Sequence, residues 1–298
     1  MRPPILPRQI SPCGAAYYAA GSGAAAVLLH GVGLRAECWF PQIRRLRRCC
    51  AVYAPDLPGH GATPKLGMPA PQISDFAAHI ARFLRETVRR PALLIGHSAG
   101  AQIAFAAAAR FPQHCRGAAM LNAVYRRTPE ARAAVLARAE SLRGDADCAA
   151  PLLRWFGEKP AGRARRAAAF CREWLRAADR EGYAALYRAF GENDGPAANE
   201  LSAFDAPLFL LTGENDANSA PEMSRKMAAR APHGRAEIVR GAGHLMQLTH
   251  AAEVNNALAA FAADCETMRA AKTNPAKINA AKTNAVNTAG AKSAAANG

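Results

Sequence analysis

The chain has 298 residues, 50% of them hydrophobic and 20% charged, with a formal net charge of +15. A chain of this length buries roughly three quarters of its unfolded surface, so one large core, with or without an inserted subdomain, needs no disulfide or metal staples. No apolar run of about 18 residues occurs, and "MRPPILPRQISPCG" at the start has early prolines and no apolar h-region, so neither a membrane span nor export is expected.

The eight cysteines are scattered, with no CxxC pair and no Cys/His spacing suited to zinc. No metal site is expected, and the thiols read as free in a reducing cytoplasm. The basic excess is spread over helical stretches as arginine, without interleaved aromatics or a nucleic-acid-binding motif. A solvated basic surface is therefore expected, not a nucleic-acid partner.

In chain order, "AAAVLLHG" (24–31) reads as a strand, followed by a helix over 37–48 and a second strand, "CCAVYAPD" (49–56). A helix over 74–88, opened by an "SDF" cap, leads to "ALLIGHS" (92–98), then to a helix over 99–110 and the strand "GAAMLNAV" (117–124). From 125 to 200 there is no convincing strand, only apolar residues at helical spacing. This block reads as a helical cap inserted between two strands, its aromatics Trp155, Phe156, Phe170, Trp174, Tyr183, Tyr187 and Phe190 mostly knitting it together, with one or two facing a pocket. The alternation then resumes with "APLFLLTG" (206–213), a helix over 219–230, "RAEIV" (235–239) and a helix over 251–263. The last segment, 268–298, is a loose Ala/Lys/Asn/Thr repeat with little to bury, and is expected to be a disordered basic tail.

Continuously apolar strands separated by helices predict an α/β fold with a mostly parallel sheet covered on both faces. Residues 1–124 and 201–267 are expected to form its core.

The chemistry points to "GHSAG" (96–100), which matches G-x-S-x-G and lies between a buried strand and a small-residue helix. In such an elbow the serine hydroxyl is thrust above the sheet edge, at a helix N-terminus that favours developing negative charge. Ser98 is the candidate nucleophile. A serine needs a base, and the base needs an orienting carboxylate, in the chain order Ser, acid, His. Of the later histidines, His114, His233, His244 and His250, only His244 follows a strand-like run in a glycine loop; His233 lies in a "PHG" turn and His250 reads as surface. The acid is expected after the strand at 206–213: Asp216 is favoured by the Gly-x-x-Asp spacing, with Glu214 as the alternative. Oxyanion donors are expected from the backbone of Ala99 and from Val32 in "HGVG", a loop that His30 and Gly31 would order.

With "HGVGLRAECW" (30–39), "APDLPGHG" (54–61), "GHSAG", "LTGENDAN" (211–218) and "GAGH" (241–244) in this order, residues 15–265 resemble the α/β-hydrolase superfamily. The likeness is to its small capped, cofactor-free members such as esterases and enol-lactonases. The resemblance implies an eight-stranded, mostly parallel sheet with an antiparallel second strand, which "GAAYYAAG" (14–21) would supply. It implies no cofactor and no catalytic role for Asp56 or His60, and serine at the elbow sets aside the branches that use aspartate there. The expected activity is hydrolysis of a small, partly apolar ester or lactone through an acyl-enzyme. A carbon–carbon bond hydrolase or acyltransferase with the same three residues is the alternative, and a non-catalytic ligand receptor the reading from another class.

Overall fold

The computed structural model describes residues 6–142 and 149–273. Eight strands form one sheet: β1 (Gln9–Ile10), β2 (Ala16–Ala20), β3 (Ala24–Leu29), β4 (Cys50–Pro55), β5 (Ala92–His97), β6 (Cys115–Leu121), β7 (Leu208–Gly213) and β8 (Gly234–Val239). Their order across the sheet is β1-β2-β4-β3-β5-β6-β7-β8. Strand β2 is antiparallel to both its neighbours, and every pairing from β4 to β8 is parallel.

Alanine is a poor strand former, yet β3 opens with three of them and is inserted between β4 and β5. Burial on both faces decides the matter: Val27, Leu28, Leu29, Leu93, Leu94 and Ile95 have no exposed surface. Strand β8 differs, because as an edge it alternates half-buried with exposed positions, and Arg235 and Glu237 sit 3.6 Å apart on its wet side.

Helices α1 (Phe40–Leu46), α2 (Ile73–Phe83) and α3 (Ala99–Arg110) follow β3, β4 and β5 as the crossovers require. The cap of α2 is not Ser74, as the sequence suggested. Gln72 holds that position, with its N–H donating to Asp75 Oδ2 at 2.8 Å, so the helix starts one residue earlier. It continues as a wider turn, Leu84–Val88, and stops at Arg89 in the left-handed region.

Between β6 and β7 lie α4 (Pro129–Ser141), α5 (Ala149–Phe156), α6 (Gly162–Arg176), α7 (Arg180–Glu192) and α8 (Ala198–Ser202), with no strand among the described residues. Thr128 and Asp179 cap α4 and α7 by accepting from Ala131 N–H and Glu181 N–H. After β7 come α9 (Pro221–Ala228), then β8, the one-turn α10 (Met246–Thr249) and α11 (Ala251–Thr273). The last helix runs past the expected end at 263 and includes residues 268–273, because "TMRAAKT" offers helix formers and no breaker. The rest of the proposed tail, 274–298, lies outside the described residues. The chain divides at Ala259/Ala260; the second unit's described part is the end of α11.

Each of the seven described cysteines is a free thiol. No described helix is long and apolar enough to cross a membrane.

Candidate active site

Strand β5 ends at His97 and α3 begins at Ala99, so Ser98 makes the turn alone, with φ 54° and ψ −119°. A non-glycine residue in this region costs about 1–3 kcal/mol and persists only when its surroundings over-determine it. Here its N–H donates to Leu121 O at 2.9 Å and its carbonyl accepts from Ala101 N–H at 2.9 Å. The flanking glycines supply room: a Cβ on Gly96 would lie 2.0 Å from Gly100 O, and one on Gly100 2.3 Å from Leu29 O. Only a strand and helix without those atoms can close so sharply.

Two strands along, the loop after β7 returns Asp216 to the sheet edge, where it is buried. Its Oδ2 accepts from His244 Nδ1 at 2.8 Å, from Asn122 Nδ2 at 2.6 Å and from Ser219 Oγ at 2.8 Å, while Oδ1 accepts from Asn218 N–H at 2.9 Å. Burial pushes the Asp216 carboxyl up, but the facing His244 and these donors outweigh it and hold it well below the usual carboxylate range. An ionised carboxylate at Nδ1 fixes the proton there and leaves Nε2 of His244 as the basic nitrogen. Asn122, at the end of β6, reaches Asp216 from a left-handed backbone, φ 50°.

The loop after β3 is held by two neutral imidazoles. His30 Nδ1–H donates to Gly31 O at 2.8 Å and its Nε2 accepts from Leu57 N–H at 2.9 Å. His60 Nδ1–H donates to Pro58 O at 3.2 Å and its Nε2 accepts from Gly33 N–H at 3.1 Å. Burial lowers their pKa values to about 4 and about 3. Among the described residues, Val32 N–H and Ala99 N–H donate to no protein group; Ala99 follows Ser98 in the chain, and Val32 lines the same cavity as Ser98.

A cavity of about 360 Å³ opens here, and Ser98, His97, His244, Gly31 and Val32 all line it. Among the described residues no hydrogen bond joins Ser98 Oγ to His244. Contacts of this kind are commonly long before substrate arrives. The cap contributes Trp155, Tyr183, Tyr187 and Phe190, four of its seven aromatics where one or two were expected. Positions 183, 187 and 190 share one face of α7, and that spacing was the available signal. Trp155 stacks against the His244 ring at 6.5 Å.

Three arginines, Arg127, Arg138 and Arg154, also line the cavity, and among the described residues no aspartate or glutamate does. Arg127 is anchored by Asp194 through Nε at 2.8 Å and by the carbonyls of Phe190 and Asn193 through Nη2; its Nη1 is buried without a partner. The remaining candidates lie elsewhere. His233 faces Asp205 at 3.3 Å, His250 bonds Thr249 Oγ1, and His114 ends a turn before β6. Glu214 accepts from Gly241 N–H at 2.8 Å and ties two loops together. Asp56 accepts from Ala36 N–H and Ala62 N–H beside Arg8, a loop brace. Sequence reasoning missed Asn122 and Ser219, and the loop contact of His60; the one hint was a polar residue, Asn122, closing an otherwise apolar strand.

A hydroxyl, an imidazole and a carboxylate delivered by the ends of β5, β8 and β7, under a helical insertion, are an arrangement found in hydrolases of the α/β type. Residues 26–257 match the model of the alpha/beta hydrolase family, and the chain belongs to that family. It is 37% identical to the (E)-2-((N-methylformamido)methylene)succinate hydrolase of Acinetobacter baylyi over 246 residues, 82% of this chain and 92% of that protein. It is 30% identical to the pimeloyl-[acyl-carrier protein] methyl ester esterase of Xanthomonas oryzae pv. oryzae over 256 residues, 82% of this chain and 96% of that one. Among solved structures, the enol-lactonase from Burkholderia xenovorans LB400 superposes with a TM-score of 0.76 at 23% identity, covering 86% of this chain and 100% of that one. An esterase from Thermogutta terrifontis gives 0.75 at 22% identity, covering 87% and 97%. The protein is an enzyme of the hydrolase class.

Proposed function

We propose that the chain hydrolyses an acyl bond of a small carboxylate-bearing substrate, an ester or lactone, through an acyl-enzyme on Ser98. The observation that carries this is the cavity itself: Ser98 and His244 line it together, and the imidazole is held through Nδ1 by buried Asp216 at 2.8 Å. Ser98 Oγ attacks the carbonyl carbon while His244 Nε2 takes its proton. The oxyanion falls to the free N–H groups of Ala99 and Val32, each such donor contributing roughly 3 kcal/mol to the transition state. His244 then protonates the leaving group as the acyl bond breaks, and water, activated by the same imidazole, releases the acid and restores Ser98. Asp216 stays ionised and stabilises the imidazolium.

The charge of the wall supports an anionic substrate: Arg127 is already met by Asp194, but Arg138 and Arg154 line the cavity with no lining carboxylate among the described residues, and their guanidinium groups favour an anion. A second reading of the bond, an amide-type link in an acylated aminomethylene succinate, is favoured by the 37% identity to the Acinetobacter baylyi hydrolase over nearly its whole length. The same steps serve it, with nitrogen as leaving atom. The test is labelling by an alkyl fluorophosphonate, together with turnover of methyl hemisuccinate, dimethyl succinate, a γ-lactone and an N-acylated aminomethylene succinate. Labelling of Ser98, its loss in Ser98→Ala, and higher kcat/KM for the anionic substrates are expected. Turnover that survives Ser98→Ala, or label on another residue, refutes the proposal.

A further inference from the structure

His97 is buried between the parts of the site, and the chemistry above does not use it. Its Nε2 lies 2.8 Å from the main-chain carbonyl of His244. A carbonyl only accepts, so Nε2 carries the proton. The ring stands 4.9 Å from the His244 ring, tilted by 56°. On its other side it meets the loop after β3: a Cβ on Gly31 would lie 2.8 Å from His97 Nδ1 and 3.3 Å from Ser98 Cβ. Nδ1 is buried without a partner, so it is an acceptor that makes no bond to the loop. Burial, reinforced by His244, depresses the His97 pKa to about 3, so the ring stays neutral and the tautomer is fixed. One imidazole, next in the chain to the nucleophile, thus holds the backbone of the base and lies against the floor of the loop that carries Val32.

We propose that His97 is a positioning residue, whose Nε2–H clamps the His244 carbonyl and whose ring spaces Gly31 from it, setting base and oxyanion loop against Ser98. This rests on the serine-hydrolase reading above. The contact falls on the main chain of His244, so it governs where the imidazole stands and leaves its Nδ1 and Nε2 to Asp216 and substrate. A displacement of about 1 Å at a reacting group costs on the order of a hundredfold in rate.

The test measures inactivation by the fluorophosphonate, resolved into the maximal rate and the half-saturating concentration, in wild type and in His97→Leu, His97→Gln and His97→Asn. Glutamine places an amide N–H near the position of Nε2; asparagine is too short. His97→Leu is expected to lower the maximal rate about 10- to 100-fold with little change in half-saturation, and His97→Gln to recover most of it. Should His97→Leu fail to fold, His97→Gln is expected to react about tenfold faster than His97→Asn. A leucine variant that reacts at the wild-type rate, or glutamine and asparagine variants that react equally, overturns the proposal. If the wild type itself takes no label on Ser98, the underlying serine-hydrolase reading fails first.

Discussion

Lowering the pH from 7 to 5 is expected to destabilise this protein far more than the loss of surface ion pairs would. His30, His60 and His97 are fully buried and neutral, with pKa values near 4, 3 and 3 set mainly by burial. In the unfolded chain each returns to about 6.5. The folded value is the lower one, so below pH 6.5 the unfolded state binds more protons, and stability falls as pH falls until the folded values are reached. Each imidazole contributes about 1.4 kcal/mol per pH unit, hence about 2 kcal/mol at pH 5 and about 6 kcal/mol for the three. Against a total of roughly 5–15 kcal/mol, that is a large fraction. Asp216 does not enter this window: its depressed pKa supports stability above the unfolded value and is felt only in stronger acid. Urea titrations at pH 7, 6 and 5, followed by far-ultraviolet circular dichroism, should show the midpoint falling steeply at constant m. His60→Gln, which keeps an acceptor for Gly33 N–H, should flatten the slope by about a third. A midpoint that is the same at pH 7 and pH 5 would refute the reasoning.

Asp216→Asn should reduce kcat on the turned-over ester by roughly 10³- to 10⁴-fold, whereas Glu214→Gln should stay within about threefold; the reverse ranking would move the acid to Glu214. Asn122→Leu leaves Asp216 Oδ2 one donor short in a buried setting, and should cost about 1–3 kcal/mol in thermal unfolding and about tenfold in kcat. Arg154→Gln, at an exposed position on the cavity wall, should raise KM about tenfold for methyl hemisuccinate and leave dimethyl succinate unchanged. Equal effects on both esters would argue against carboxylate recognition there.

The central strands β3 to β7 were legible because they are mostly continuous apolar runs, a pattern that survives even when alanine replaces better strand formers; β1, two exposed residues, left no such run, and β2 was expected only through the resemblance. The elbow was legible for a related reason, since Gly96 and Gly100 must lack a Cβ and so leave a mark in the sequence. What stayed hidden depends on contacts between residues far apart in the chain. Asn122 meets Asp216 across 94 positions and His97 meets His244 across 147, and no local spacing reports either. The start of α2 was misjudged for a smaller reason: serine is the commoner cap, but here Gln72 with Asp75 takes the place. In the cap, helix existence followed from periodicity, while the face of each helix turned to the cavity followed only from packing.

Every strand from β4 to β8 points the same way, so Ser98, Asp216 and His244 gather at one rim and the start of each strand lies at the other. Cys49, the residue before β4, is an exposed thiol at that far rim. A maleimide surface that captured the protein through Cys49 would orient the layer of molecules with their mouths outward, open to solution.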